Sequence, residues 1–221
     1  MILIDDIKGH YESNLSYYEN LEVEIEDDIS GRVPHHRIVV LNILSNLGKV
    51  KRYLEIGVHN GASMAYVLKS DHHVSCFGVD LFESLESEIL HVDAKMQAQG
   101  YITDGISMER TERSLSGLNA EGSFVLIKGN SRKDEVIKSV GSILDKKPVD
   151  LLFIDGDHSY SACMDDFRYS KYLKKGGFVV FDDYHPTYRE IMKAAEEVTA
   201  RSDFEFLGTF MGTEYIVRKV A

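Results

Sequence analysis

Cysteine is scarce in this chain: among 221 residues there are two, Cys76 and Cys163. Two thiols make no disulfide framework, and two buried free thiols are the expectation. Positive charge is also in short supply. Lys and Arg total 25 against 36 Asp and Glu, a formal net charge of −11. A surface of that sign repels phosphate backbones, so nucleic acid is not an expected partner. An acidic cofactor held by backbone amides is still compatible with it. No apolar run is long enough to cross a bilayer. The opening MILIDDIKGHYE turns acidic at once and does not read as a signal peptide. No membrane partner and a cytoplasmic location are therefore expected. The chain also lacks an internal repeat, a low-complexity segment and the Gly-x-Gly-x-x-Gly fingerprint of dinucleotide binding.

What is present suffices for one domain. Hydrophobic residues make up 43% of the chain, an ordinary share for a packed core. Residues 1–50 read as a helical cap segment: a short helix over Tyr11–Asn20, the acidic run Glu22–Asp28, a break at Gly31–Pro34, and helical spacing of Ile38, Leu41, Leu44 and Leu47 within His35–Leu47. From residue 51 to 221, strands and helices alternate. Expected strands are Lys51–Ile56, Val74–Asp80, Phe124–Lys128, Val149–Ile154 and Phe178–Phe181. Expected helices are Gly61–Ser70, Leu85–Gln99, Ser107–Leu118, Ser131–Gly141, Tyr160–Lys174 (stopped by Gly176–Gly177) and Thr187–Ala200. Phe204–Phe210 and Glu214–Val220 flank Met211-Gly212-Thr213 as a hairpin, which reverses the last strand. The fold class that follows is α/β: a Rossmann-like seven-stranded sheet, mostly parallel, with helices on both faces.

The stretch Val149–His185 is the most informative. Two apolar runs end in carboxylates, Asp155 and Asp157 after the first, Asp182 and Asp183 after the second. A helix between them makes the two strands parallel neighbours. Their ends then share the edge of the sheet where open α/β proteins bind ligands. Asp155, Asp182 and Asp183 should converge there with His158 beside them, and carboxylates so crowded want a cation.

Three further places carry chemistry. Glu55-x-Gly57-x-x-x-Gly61 joins the first strand to a helix, and its glycines permit positive φ and close approach to a ligand. His59 stands where a dinucleotide fingerprint needs its second glycine, which disfavours a nicotinamide-dependent oxidoreductase. Asp80 ends the second strand, where an acid suits a ribose diol. Asn130 and Ser131 end the third strand, where they can meet an adenine edge or simply cap the next helix.

At these residues the chain resembles the class I S-adenosylmethionine-dependent methyltransferases, and within them the metal-dependent small-molecule O-methyltransferases of catechol, macrocin and cephalosporin-hydroxylase-like type. FIDGDHSY followed by GGFVVFDDYH carries most of the likeness, which spans roughly residues 50–220. The resemblance implies a cofactor loop at Glu55, Gly57 and Gly61. It puts Ser63 and His59 where such enzymes hold the methionine carboxylate, Asp80 at the ribose, and Asn130, Ser131 and Asp155 on the cofactor as well. It also implies metal ligands Asp155, Asp182 and Asp183, with Mg²⁺ as the expected ion. The catechol type has Asn as its third ligand, and its lysine base stands where this chain has His158. That leaves His158 or Asp157 as the base; the alternative for His158 is to cap the following helix or to hold Asp155. The expected reaction is methyl transfer to a hydroxyl of a small molecule. A non-catalytic cofactor-binding protein is the other reading, and a homo-oligomer is compatible with either.

Overall fold

The computed structural model describes residues 2–29, 36–82 and 107–221. The expected helix Leu85–Gln99 lies outside them. In chain order the elements are α1 (Ile4–Ser13), α2 (Leu15–Asp28), a 3₁₀ turn (His36–Val39), α3 (Val40–Gly48), β1 (Arg52–Ile56), α4 (Ala62–Leu68), β2 (Ser75–Asp80), α5 (Met108–Gly117), β3 (Ser123–Lys128), α6 (Asp134–Ile143), β4 (Val149–Ile154), α7 (Tyr160–Phe167), a 3₁₀ turn (Arg168–Tyr172), β5 (Leu173–Phe181), α8 (Arg189–Thr199), β6 (Phe204–Phe210) and β7 (Glu214–Lys219).

The seven strands form one sheet in the order β3-β2-β1-β4-β5-β7-β6. The first five pair in parallel, and β7 runs antiparallel to both β5 and β6. This is the expected architecture, with β4 and β5 adjacent. The hairpin turns through the three residues Met211-Gly212-Thr213, with Met211 and Gly212 at positive φ and Thr213 N–H donating to the Phe210 carbonyl, a twist that suits a tight turn between right-twisted strands.

Side chains alternate across the strands as the pleat requires. Tyr53, Leu151, Phe153, Phe178, Val180 and Ile216 face one layer, which α1 to α5 cover. Leu54, Ile56, Leu152, Ile154, Val179, Phe181 and Val217 face the other, covered by α6, α7 and α8. Residues 2–29 and 36–50 therefore share the main core: Ile7, Tyr18, Leu21, Ile25 and Ile38 belong to the first layer.

Four local readings differ from the sequence expectation. The helix expected over Tyr11–Asn20 is interrupted at Asn14 (φ −126°, ψ 27°), where α1 ends and α2 begins. The acidic run Glu22–Asp28 is helical, inside α2. Tyr18, Leu21 and Ile25, spaced three and four apart, are all buried there, and this one apolar stripe holds the acidic turn against the core. The helix expected over Tyr160–Lys174 stops at Phe167. Tyr169 and Tyr172 then donate their hydroxyls to the carbonyls of Ser131 and Ile137, which draws the 3₁₀ turn sideways toward α6. Gly176 and Gly177 do not end a helix but lie within β5, with Gly176 at φ 81° and a shift of the β4–β5 register between Val149 and Leu151. Cys76 and Cys163 are buried free thiols, as expected.

Candidate active site

The parallel ladder continues one residue past the strand ends. Gly57 donates its N–H to the Val79 carbonyl, Asp155 to that of Ile56 and Asp182 to that of Ile154. These bonds place Gly57, Asp155 and Asp182 side by side on the carboxyl edge of the sheet. The order β2-β1-β4 puts the switch point between β1 and β4 beneath them.

The glycine loop is built against the protein as much as toward a ligand. Gly57 has φ 90°, and a Cβ there would stand 2.0 Å from the Asp155 carbonyl oxygen. The sequence argument for glycine at this position was ligand space; the structure shows that the neighbouring backbone already requires it. Gly61, at φ 89°, would press a Cβ on Leu115 and Thr111 of α5. The loop amides of Val58 and His59 both donate to Asp80 Oδ2 at 2.8 Å, and Phe82 N–H donates to Asp80 Oδ1 at 2.7 Å. Asp80 thus closes the loop itself, and only its remaining lone pairs are left for any other partner. The His59 backbone stands at φ 53° and its carbonyl accepts from Thr111 Oγ1 at 2.8 Å.

Glu55 is fully buried between two hydroxyls. Tyr53 donates to its Oε2 at 3.0 Å, and Ser63 Oγ donates to its Oε1. Burial pushes the Glu55 carboxyl up to about 8, with donation from Ser63 and Tyr53 acting in the other direction. A neutral Glu55 makes three O–H groups share two contacts, which leaves one proton over. If Glu55 donates to Ser63, the Ser63 proton is the one released toward a ligand carboxylate.

At the third strand end, Asn130 Oδ1 accepts from Arg132 N–H in a turn, and the Ser131 carbonyl accepts from Tyr169. The Ser131 hydroxyl bonds Asp166, a buried carboxyl that burial raises to about 7. Neither Asn130 nor Ser131 is the N-cap of α6, which is Lys133.

The acidic cluster lies beyond the loop. Ligand atoms of Asp155, His158 and Asp183 all lie within 4.8 Å of one another. His158 Nε2 is 3.3 Å from Asp183 Oδ2, and its ring meets the Tyr188 ring edge-on at 4.5 Å. His158 caps no helix: Ser159 caps α7 by accepting from Ala162, and Asp157 Oδ1 accepts from Ser159 N–H at 2.7 Å. Asp182 Oδ1 accepts from Asp183 N–H at 2.7 Å, with Asp183 at φ 54°. Asp182 stands one step behind the Asp155–His158–Asp183 group and is not among the three whose ligand atoms converge. Burial, then repulsion from Asp182 and Asp183, holds the Asp155 carboxyl well above the usual carboxylate range. Burial and Asp182 likewise raise Asp183, against the pull of Arg37 and His158.

Two members of the cluster escaped the sequence reading. Arg37 Nη2 donates to Asp183 Oδ1 at 2.6 Å and lies 3.2 Å from Asp182 Oδ1. Its Nε is 2.7 Å from Glu214 Oε1, in a contact too misaligned for a hydrogen bond. Burial works against the Arg37 charge, but Asp182, Asp183 and Glu214 outweigh it and raise its pKa. Glu214 is fully buried, and burial followed by Asp182 pushes it up to about 10. A reversed β7 paired with β5, Phe181 opposite Tyr215, sets Glu214 across from Asp182, so the register could have revealed it. Nothing in the spacing ties Arg37 to residues 146 positions away.

The His72 and His73 rings contact the carbonyl oxygens of Val50 and Glu121, and His185 is exposed beside Thr187. None of the three belongs to the cluster. A cleft of about 520 Å³ between Leu47, Lys175, Phe178 and Val220 lies at the opposite edge of the sheet, away from these groups.

Comparison with known proteins agrees with this fold. A family model described as a methyltransferase domain matches residues 54–184, from β1 through the second aspartate pair. Uncharacterized protein R132 of Acanthamoeba polyphaga mimivirus is 30% identical over 197 residues, covering 86% of this chain and 78% of that protein. An O-methyltransferase from Bacillus cereus, solved with SAH, superposes with a TM-score of 0.54 at 16% identity, over 93% of this chain and 91% of that one. The O-methyltransferase TomG from Streptomyces achromogenes, solved with SAM, gives 0.51 at 16% identity over 92% and 89%. The two structures share the fold, while the family model settles the kinship: the chain belongs to the methyltransferase-domain family.

Proposed function

We propose that the protein transfers a methyl group from S-adenosylmethionine to a hydroxyl of a small molecule, with a divalent metal held at the acidic cluster. The observation that carries the reading is the convergence of Asp155, His158 and Asp183 within 4.8 Å beside the Gly57 loop. The SAH and SAM complexes of the Bacillus and Streptomyces enzymes support the same cofactor here. His59 in place of a second glycine speaks against a nicotinamide.

The donor set suits a cation. Asp155, Asp182, Asp183 and Glu214 crowd together with Arg37 and His158 among them. A set of Asp155, Asp182 and Asp183 is all oxygen, suits Mg²⁺ and leaves His158 free to act as a base; one that includes the His158 imidazole suits a softer ion and passes the base role to Asp157. When bound, the cofactor supplies an electrophilic methyl group and the metal acidifies a hydroxyl chelated to it.

The chain's own residues do the rest. Gly57 and Gly61 let the loop backbone lie flat against the cofactor. Ser63, with the spare proton of the Glu55 group, meets its carboxylate, and Asp80 meets its ribose. Asp155 and Asp183 orient the acceptor oxygen, and a fixed approach is worth several orders of magnitude in rate. His158 Nε2, or the second oxygen of Asp157, removes the hydroxyl proton. No residue of the chain need act as an acid on the donor side, because a sulfonium donor would give a neutral thioether.

The test is methyl transfer from labelled S-adenosylmethionine to a panel of vicinal diols, with Mg²⁺ or with excess chelator. Transfer that disappears with chelator and returns with Mg²⁺ is expected. Undiminished transfer in chelator removes the metal from the mechanism.

A further inference from the structure

Arg37 enters the cluster from the 3₁₀ turn ahead of α3, outside the strand ends that supply the carboxylates. One guanidinium contacts Asp182 Oδ1, Asp183 Oδ1 and Glu214 Oε1. It leaves Asp183 Oδ2 turned toward His158, on the side shared with Asp155. Its side chain is 19% exposed, and that of Glu214 is wholly buried. A guanidinium does not give up its proton in a protein, so this positive charge is permanent. Asp183 is bonded directly to it, and any ion bound through Asp183 Oδ2 sits on the same carboxylate. The two cations must repel one another across that group.

We infer that Arg37 is the resident counter-cation of the acidic cluster and competes electrostatically with the divalent ion for Asp182 and Asp183, setting the metal affinity of the site. The inference rests on the metal reading above. Arg37 keeps the carboxylates ordered when the metal is absent, and it weakens the hold of the bare protein on the ion. An acceptor that adds its own oxygens then tightens the site, which couples metal retention to the arrival of substrate.

The experiment is a Mn²⁺ titration of the full chain without cofactor or acceptor, with free ion followed by electron paramagnetic resonance. Arg37→Met should bind Mn²⁺ about tenfold more tightly or better, since a like charge in contact with a ligand is gone. Arg37→Lys keeps the charge and should stay within about threefold of the natural protein, a margin set by the rearranged contacts. S-adenosylhomocysteine affinity should hold in both, which verifies the fold. Equal or weaker Mn²⁺ binding by Arg37→Met overturns the inference, as does equal tightening in both variants. If no form binds Mn²⁺, the metal reading itself fails and the inference falls with it. Should Arg37→Met not fold, the natural protein decides. Its Arg37 Nε–H resonance, identified by its loss in Arg37→Lys, should shift when diamagnetic Mg²⁺ saturates the site. An unmoved resonance in a protein that binds Mg²⁺ overturns the competition.

Discussion

Replacing His158 by alanine is expected to lower methyl-transfer turnover by roughly 10²–10⁴-fold, the usual worth of a positioned general base, with S-adenosylhomocysteine affinity little changed. His158 is three residues past Asp155, and its Nε2 faces Asp183 Oδ2 at 3.3 Å within the group that would hold the acceptor oxygen. The Tyr188 ring edge fixes its plane from the other side. The rival base is Asp157, and Asp157→Asn separates the two cleanly. Asp157 Oδ1 accepts from Ser159 N–H at the start of α7. Asn keeps that bond, because it serves such positions as well as Asp does, while it loses the ability to take a proton. A near-normal rate in Asp157→Asn with a collapse in His158→Ala assigns the proton to the imidazole. The opposite pattern assigns it to the carboxylate. Near-normal turnover in both variants would mean that chelation alone acidifies the acceptor, with His158 left to hold Asp183.

Gly57→Val should abolish cofactor binding and destabilise the fold at once. A Cβ at this position would stand 2.0 Å from the Asp155 carbonyl oxygen and 2.5 Å from its carbon, both backbone atoms of the adjacent strand end. No rotamer relieves that overlap, because Cβ itself makes it. The φ of 90° adds strain of about 1–2 kcal/mol for any residue with a side chain. The overlap adds about 1–3 kcal/mol or more. Either the glycine loop or the Asp155 turn must move, and the cofactor and metal positions share that boundary. Gly212→Ala is the control: its φ is 78°, and nothing lies within 4 Å of the added Cβ. It should lose about 1 kcal/mol through backbone strain alone, with S-adenosylhomocysteine affinity intact. Thermal melts and calorimetry on the two variants separate strain from collision. A Gly57→Val protein that melts and binds like the natural one would contradict the packing described for the loop.

The sheet was legible because its strands are short apolar runs, each closed by turn residues or carboxylates, and because βα alternation leaves few topologies open. The meeting of Asp155 with Asp183 and His158 at one edge of the sheet followed from that topology, without any side-chain information, whereas Asp182, expected beside them as a third ligand, is not one of the three whose ligand atoms converge. Gly176 and Gly177 misled because glycine ends helices more often than it bends strands, whereas here the bend lets β5 shift register against β4. The acidic stretch in α2 was hidden by its charge, though its buried stripe of Tyr18, Leu21 and Ile25 has ordinary helical spacing. Arg37 was the least accessible. A single cation beside an apolar helix reads as a solvated side chain, and only tertiary packing carries it to Asp183. Ser63 and Asp80 show a further limit: the resemblance pointed to Ser63 and position along the chain to Asp80, but neither could reveal that Glu55 and the loop amides already bond them.

Calorimetric titration of the natural protein with S-adenosylhomocysteine and, separately, with NAD tests the central claim most directly. The cofactor-binding roles proposed for Glu55, Gly57, Ser63 and Asp80, as distinct from their part in holding the loop together, require S-adenosylmethionine to occupy the loop. Saturable one-to-one binding of S-adenosylhomocysteine and no heat of binding from NAD are expected. Binding of NAD with none of S-adenosylhomocysteine would contradict the claim.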